Sequence, residues 1–277
     1  MKVISKNILA DIEGFPKVIK LEILSEEISR EAKPGQFVVL MVKKEGERIP
    51  LTIVDKNLDK KTITLIFQEV GFTTKLLGRL NIGDSLYALL GPLGNPTEIK
   101  RYGKVILIGG GIGIAEIFPV AKALRRENNY IITILGAKTK DLLILKDELE
   151  EISSELYIAT DDGSYGEKGF NTDILERILL NDSFDLVYAV GPIPMMEKVS
   201  FITRKRKIKT IVSLNSLMLD GTGMCGVCRV SVGDDIRFTC VDGPEFDAHL
   251  IDWEELRNRN RMYEDKERYI CKLYKLC

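Results

Sequence analysis

Short apolar and β-branched runs punctuate the first hundred residues. Residues 18–24, 37–42, 51–54 and 62–67 are each bounded by Gly, Pro, Asn or charged positions. That pattern predicts strands. Only 73–80 has helical spacing there. Several short strands at regular intervals predict a small antiparallel β-barrel over 1–100, and Gly91-Pro-Leu-Gly-Asn-Pro96 predicts a loop that closes it.

The rhythm changes at Lys104. Residues 105–108 form an apolar run that leads into Gly109-Gly-Gly-Ile-Gly113 and then an apolar-periodic helix over 115–126. Strands at 130–135, 156–159, 186–190 and 210–213 alternate with helices at 142–152, 172–180 and 195–204. Alternation of this kind predicts a parallel α/β nucleotide-binding sheet over 101–213. Residues 214–277 are rich in glycine and cysteine and then end in a charged helix. The expected class is therefore α+β multidomain: barrel, parallel sheet, and a small C-terminal domain.

The chain has 277 residues, with 40 Lys and Arg against 41 Asp and Glu. That balance gives no footing for nucleic acid or an anionic membrane. No apolar run is long enough to cross a bilayer. The N-terminus lacks the apolar core of a signal peptide, so a cytoplasmic location is the default expectation. All five cysteines, at 225, 228, 240, 271 and 277, fall in the last quarter. An odd, clustered set points to a metal site rather than a disulfide framework. With one histidine, His249, hydrolytic Ser-His or Cys-His chemistry has little support.

The run Asp220-Gly-Thr-Gly-Met-Cys225-Gly-Val-Cys228, followed by Cys240, has the spacing of the plant-type ferredoxin pattern C-x4-C-x2-C…C. Aspartate stands in the first cysteine's place. The expected ligands of a [2Fe-2S] cluster are Asp220, Cys225, Cys228 and Cys240. Glycines in the loop let the backbone wrap the cluster. A carboxylate is a harder ligand than a thiolate, which makes Asp220 a candidate to tune the potential. Two other readings stay open: a zinc knuckle that adds Asp220 or His249 to the cysteines, and Asp220 as a turn residue beside another fourth ligand. Cys271 and Cys277 are expected to be non-ligands, the first packed and the second a free terminal thiol.

Gly110, Gly111 and Gly113 lie between a strand and a helix, where backbone amides can face phosphate. The loop lacks the G-x-G-x-x-G spacing, and a tight strand-helix turn is the alternative. Asp161, Gly191, Pro192 and Met195 follow other strand ends of the same sheet, where open α/β sheets bind ligands. Asp162 and Lys138 are further strand-end candidates. In the barrel, Arg48-Ile-Pro50-Leu51-Thr52 and Gly71-Phe-Thr73-Thr74 offer a cation, hydroxyls and amides for a flavin and its pyrophosphate. A solvated hairpin and an N-cap are the plain alternatives. His249 is expected to be a surface or packing residue, and Trp253 an anchor.

Several of these motifs together resemble the small subunit of NADH-dependent reduced ferredoxin:NADP oxidoreductase, in the ferredoxin-NADP reductase superfamily. They are Arg48-Ile-Pro-Leu-Thr-Ile53, Gly109-Gly-Gly-Ile-Gly113, Ala189-Val-Gly-Pro192 with Met195-Met196, the Asp220–Arg229 loop, and Cys240-Val-Asp-Gly-Pro-Glu-Phe246. The resemblance implies FAD in the barrel, NAD(H) on the sheet and one [2Fe-2S] cluster in the domain at 214–277. It also implies a larger partner subunit with a second flavin and [4Fe-4S] clusters, a ferredoxin reached through that partner, and electron bifurcation. Hydride exchange with NAD(H) needs no protein acid or base, because the cofactor carries it and Thr52 positions the flavin. Two rival functions are the electron-transfer subunit of an NAD-linked dihydroorotate dehydrogenase and a zinc-stabilised nucleotide-binding adaptor. Asp220 speaks against the first, since that related family generally has cysteine there.

Overall fold

A computed structural model describes residues 1–273. The chain divides into two compact units. One comprises residues 1–95, 215–244 and the segment from 254 onward. The other comprises 96–214 and 245–253. Among the described residues no helix is long and apolar enough to cross a membrane. The expectations for Cys277 and for the packing of the Cys271 side chain lie outside what is described.

The first unit opens with β1 (Val3–Ala10), β2 (Val18–Leu24), α1 (Glu26–Glu31), β3 (Phe37–Met41), β4 (Ile49–Thr52), β5 (Asp55–Asn57), β6 (Thr62–Gln68), α2 (Phe72–Gly78) and β7 (Ala88–Leu93). The strands form two antiparallel sheets, β1-β2-β6-β5 and β4-β3-β7. Alternation on β2 explains why they share a core. Ile19, Leu21 and Ile23 are fully buried and join Val38 and Leu40 of β3 and Ile63, Leu65 and Phe67 of β6. Three features depart from the expected pattern. β1 is an edge strand with two register shifts, so its polar Lys6 and Asn7 break the alternation. α1 has only six residues, too few to show a helical period. β7 runs through Gly91 and Pro92, the start of the expected loop, because an edge strand tolerates a residue without an N–H.

The second unit alternates β8 (Lys104–Gly110), α3 (Gly113–Arg126), β9 (Tyr130–Ala137), a 3-10 turn (Lys140–Leu142), α4 (Lys146–Ile152), β10 (Glu155–Thr160), β11 (Glu167–Lys168), α5 (Asn171–Asn181), β12 (Leu186–Val190), α6 (Ile193–Arg206) and β13 (Thr210–Ser213). β8 is wholly apolar at Val105, Ile106, Leu107 and Ile108, each with no exposed surface. Such a strand is covered on both faces. The helix expected over 142–152 is shorter. Leu145 takes a left-handed φ of 53°, and the helix starts after it.

The chain then returns to the first unit for the hairpin β14 (Arg229–Val232) and β15 (Asp235–Phe238). It comes back to the parallel sheet with β16 (Glu245–Asp247), and α7 (Trp253–Asn260) and α8 (Glu264–Leu273) follow. The sheet order is β11-β10-β9-β8-β12-β13-β16, parallel except for β16, which pairs antiparallel with β13. This three-residue edge strand has no signature of its own in the sequence.

Two polar groups, one buried and one largely buried, hold the second unit. Asn129 is 2% exposed. Its Oδ1 accepts the N–H groups of Tyr102 and Gly103 at 2.7 and 3.0 Å, and its Nδ2 donates to the carbonyls of Lys100 and Leu124, both at 2.9 Å. It stitches the approach to β8 to the end of α3. The carboxyl of Glu245 accepts from Thr97 Oγ1 at 2.5 Å and Tyr188 Oη at 2.7 Å. Burial raises its pKa above the ordinary 4.5, against the two hydroxyl donors.

Asn129→Ala strands several of these backbone groups. It is expected to cost about 2–4 kcal/mol, read as a lower denaturation midpoint. The Glu245 shift predicts a pH dependence. The unfolded carboxyl releases its proton first, so above pH 4.5 the native state binds more protons. Glu245's contribution is therefore full below that pH and is lost as pH rises through the raised value. Denaturation curves across this window should flatten in Glu245→Gln.

Candidate functional site

The four expected cluster ligands lie in the first unit, and the structure sets them out as two pairs. Cys228 and Cys240 are each 2% exposed, and their Sγ atoms are 3.2 Å apart. They pack with Phe37 and Val39 of β3, Met218, and the partly buried Leu93 and Phe238. The β14–β15 hairpin brings Cys240 back to Cys228, and Thr239 closes it by donating its N–H and hydroxyl to the Cys228 carbonyl at 3.1 and 2.6 Å. Asp220 and Cys225 form the other pair. The Asp220 carboxylate accepts the N–H groups of Thr222 and Cys225, both at 2.8 Å. Those bonds, that of Thr222 first, hold its pKa below the ordinary 3.8. Gly221 allows the fold-back: its φ is +74°, and a Cβ there would come within 2.7 Å of Val39.

The donor set fits a two-iron cluster. Burial first, and then the neighbouring Cys228 thiol, push the Cys240 thiol up to about 12. Two thiolates at this separation would repel strongly, and a bound cation takes up that charge. Among the described residues no three His, Cys, Asp or Glu side chains gather at one point. Two pairs suit two metal centres better than the single tetrahedral centre of structural zinc. His249 lies elsewhere. It sits in the second unit, half-buried, with Nε2 3.0 Å from Thr203 Oγ1 of α6 and its carbonyl accepting from Arg204. It is a packing residue. Trp253 is buried, and its indole N–H has no partner among the described residues.

The flavin candidates divide into engaged and available groups. Pro50, Leu51 and Thr52 pair in β4 with Val39, Val38 and Phe37 of β3. Thr73 Oγ1 donates to Glu47 at 2.5 Å. Thr74 Oγ1 accepts the Gly71 N–H at 2.9 Å. These hydroxyls therefore hold the start of α2. Arg48 is exposed, with no carboxylate partner among the described residues, and the Thr52 hydroxyl makes no hydrogen bond among them. These two groups are the ones free to meet a cofactor.

The nucleotide candidates at the sheet's carboxyl edge are drawn together around α3. A Cβ on Gly113 would lie 2.3 Å from the Val190 carbonyl, so glycine there lets α3 press against β12. A Cβ on Gly110 would meet Met195 Sδ at 2.5 Å and Pro192 Cδ at 3.2 Å, and one on Gly191 would meet Met195 Cε. Met195 thus packs onto the glycine loop. Gly111 alone of the three loop candidates faces open space, with φ +57°. Asn171, which sequence reasoning missed, is 5% exposed and donates to the Gly109 carbonyl and Met195 Sδ, both at 3.2 Å. An asparagine at the start of a helix reads as a cap, and that hid it. Asp161 follows β10 and is exposed. Its neighbour Asp162 is held in the loop by the N–H and hydroxyl of Ser164, at 2.9 and 2.6 Å.

Known proteins match these parts. Residues 107–200 match the oxidoreductase NAD-binding domain, and residues 215–252 match the iron-sulfur cluster binding domain of dihydroorotate dehydrogenase B. The chain is 48% identical to the dihydroorotate dehydrogenase B (NAD(+)) electron transfer subunit homolog of Thermotoga maritima, over 88% of this chain and 86% of that one. It superimposes on the NADH-dependent reduced ferredoxin-NADP oxidoreductase structure with a TM-score of 0.91 and 43% identity, covering 99% of this chain and 97% of the other. Ferredoxin-NADP+ reductase from Plasmodium falciparum shares the fold at 18% identity, with a TM-score of 0.62 over 76% of this chain and 93% of that one. This fold is the α+β arrangement expected from the sequence, and the chain is an electron-transfer oxidoreductase subunit whose cofactors are FAD, a [2Fe-2S] cluster and NAD(H). With nearly the whole chain aligned at such identity, the protein belongs to the family of dihydroorotate dehydrogenase B-type electron-transfer subunits on the ferredoxin-NADP reductase fold.

Proposed function

We propose that this subunit exchanges hydride between NAD(H) and FAD. Electrons then pass singly through the [2Fe-2S] cluster to or from a larger subunit with a second flavin and [4Fe-4S] clusters. The complex acts as an electron-bifurcating ferredoxin-NADP oxidoreductase in the cytoplasm. The observation that carries this reading is the placement of Asp220, Cys225 and Cys228 in one loop, with Cys240 returned to Cys228 by the hairpin and both buried thiols packed against the sheet whose strand β4 carries Thr52. When bound, the flavin supplies the conversion of a two-electron hydride into one-electron steps, which no side chain can perform.

In this reading Cys228 and Cys240 hold the buried side of the cluster, and Asp220 and Cys225 the exposed side. Arg48 neutralises the FAD pyrophosphate and Thr52 hydrogen-bonds the flavin ring. Gly71, Thr73 and Thr74 shape the adjoining turn. Gly110, Gly111, Gly113, Gly191, Pro192 and Met195 form the bed of the nucleotide, and Gly111 is the open position. Asp161 accepts a hydrogen bond from the adenosine ribose and repels a 2′-phosphate, as acids do in dinucleotide sites.

The relatives' names favour a second reading, electron transfer from a dihydroorotate-oxidising partner. Asp220, where that family generally has cysteine, favours the first. Purification under anaerobic conditions distinguishes them. A partner with a second flavin and [4Fe-4S] clusters supports the first, and a dihydroorotate-oxidising partner overturns it.

Two outcomes test the site. Anaerobic protein should show flavin absorption and one reduced [2Fe-2S] EPR signal, and Cys228→Ser should lose the signal while keeping the flavin. Colourless protein that contains zinc and no iron would sink the reading. In Asp161→Asn the ratio of kcat/KM for NADH over NADPH should fall about tenfold, because one repulsive charge is gone. An unchanged ratio removes Asp161 from the nucleotide site.

A further inference from the structure

One carboxyl of the second unit has no part in the function proposed above. Glu245 stands on β16, and the sheet register fixes its place. Gly109 pairs with Val190, and Ala189 pairs with Val212, which sets Ser213 beside Val190. Glu245 pairs with Ser213 at the end of that row. The row runs from the first residue of the glycine loop to the last residues of β12 and β13. It is the carboxyl edge of the parallel sheet, where such sheets take nucleotides.

The two oxygens of this carboxyl are not equivalent. The hydroxyls of Thr97 and Tyr188 both donate to Oε1. Oε2 has no partner among the described residues. It is also not one of the enclosed unpartnered side-chain atoms among the described residues, Thr139 Oγ1 and Trp253 Nε1. Oε2 therefore reaches solvent. Two donors on one oxygen hold the carboxyl in place and leave the other oxygen without a partner among the described residues. A lone structural anchor for Thr97 and Tyr188 does not need a carboxyl. An amide or a hydroxyl would accept the same bonds without the cost of burying an acid.

We propose that Glu245 reads the nicotinamide end of the dinucleotide, with Oε2 hydrogen-bonded to the carboxamide of NAD(H) while Thr97 and Tyr188 hold Oε1. A primary carboxamide presents N–H donors beside a carbonyl acceptor. An ionised carboxyl accepts from the first, and a protonated one also donates to the second. The pairing works in either protonation state. It rests on the reading that this unit binds NAD(H), and it assigns the nicotinamide end a side-chain contact.

Calorimetry on the flavin-loaded full chain separates this role from a structural one. The probes are NAD+, ADP-ribose, which lacks the nicotinamide, and 3-acetylpyridine adenine dinucleotide, in which a methyl group replaces the amide nitrogen. Glu245→Ala should weaken NAD+ about tenfold or more and leave ADP-ribose within about twofold. Glu245→Gln, which keeps a hydrogen-bonding group, should retain most of the NAD+ affinity. Wild type should prefer NAD+ over the acetylpyridine analogue, and Glu245→Ala should bind the two alike. Glu245→Met makes the same comparison at conserved volume if the alanine variant does not fold. Equal loss of NAD+ and ADP-ribose, or loss of neither, overturns the proposal while leaving the nucleotide reading intact. A wild-type chain that binds neither probe overturns both.

Discussion

Two thiols 3.2 Å apart in an apolar pocket set the terms for the first unit. Burial raises the pKa of the Cys240 thiol, and a pair of thiolates without a cation would repel strongly. Iron resolves that conflict, which is why the donor set reads as a metal site rather than as two packed cysteines. The pocket's walls are Phe37, Val39 and Leu93, from the same sheet that carries β4. The cluster loop is thus built onto the flavin-candidate sheet and belongs to one compact unit with it. Electron exchange between a flavin and a cluster falls off steeply with separation, so sharing one compact unit is a direct way to keep it short.

Much of this was legible in the residues, for physical reasons that can be named. β8 announces itself because a strand covered on both faces must be apolar throughout. β2 does so because one covered face imposes alternation. The cluster loop does so because metal ligation restricts residue type and spacing together. What stayed hidden has reasons as well. β1 is a bulged edge whose exposed positions carry no pattern. β16 is three residues long and gains meaning only through its register with β13. Asn129, Asn171 and Glu245 act across distances in sequence that no local pattern encodes, at 29, 62 and 148 residues for their longest bonds.

The glycine loop shows how one motif can be right for more than one reason. Glycines between a strand and a helix were expected to let a phosphate approach the backbone. Gly113 and Gly110 are small because Val190 and Met195 occupy the space that a Cβ would take. Only Gly111 opens outward. The missing G-x-G-x-x-G spacing follows from this. The approach of α3 to β12 is met at Gly113 itself, so the position three residues later is free to be Glu116. Close packing within the sheet and access for a ligand are separate demands, and this loop meets them at separate residues.

Asp220 carries the same kind of double duty. Its carboxylate takes the amides of Thr222 and Cys225, a turn that aspartate makes well and that a thiol, a weak acceptor, makes poorly. A cysteine at this position could supply a softer ligand but would not order the loop in the same way. Positive φ at Gly221 and Gly223 lets the backbone fold around that turn. In the proposed reading, one oxygen would leave its amide for iron while the other keeps the loop closed. The aspartate that interrupts the ferredoxin pattern has a physical reason to be there that does not depend on redox tuning. Whether it also shifts the potential is a separate question, measured apart from cluster assembly.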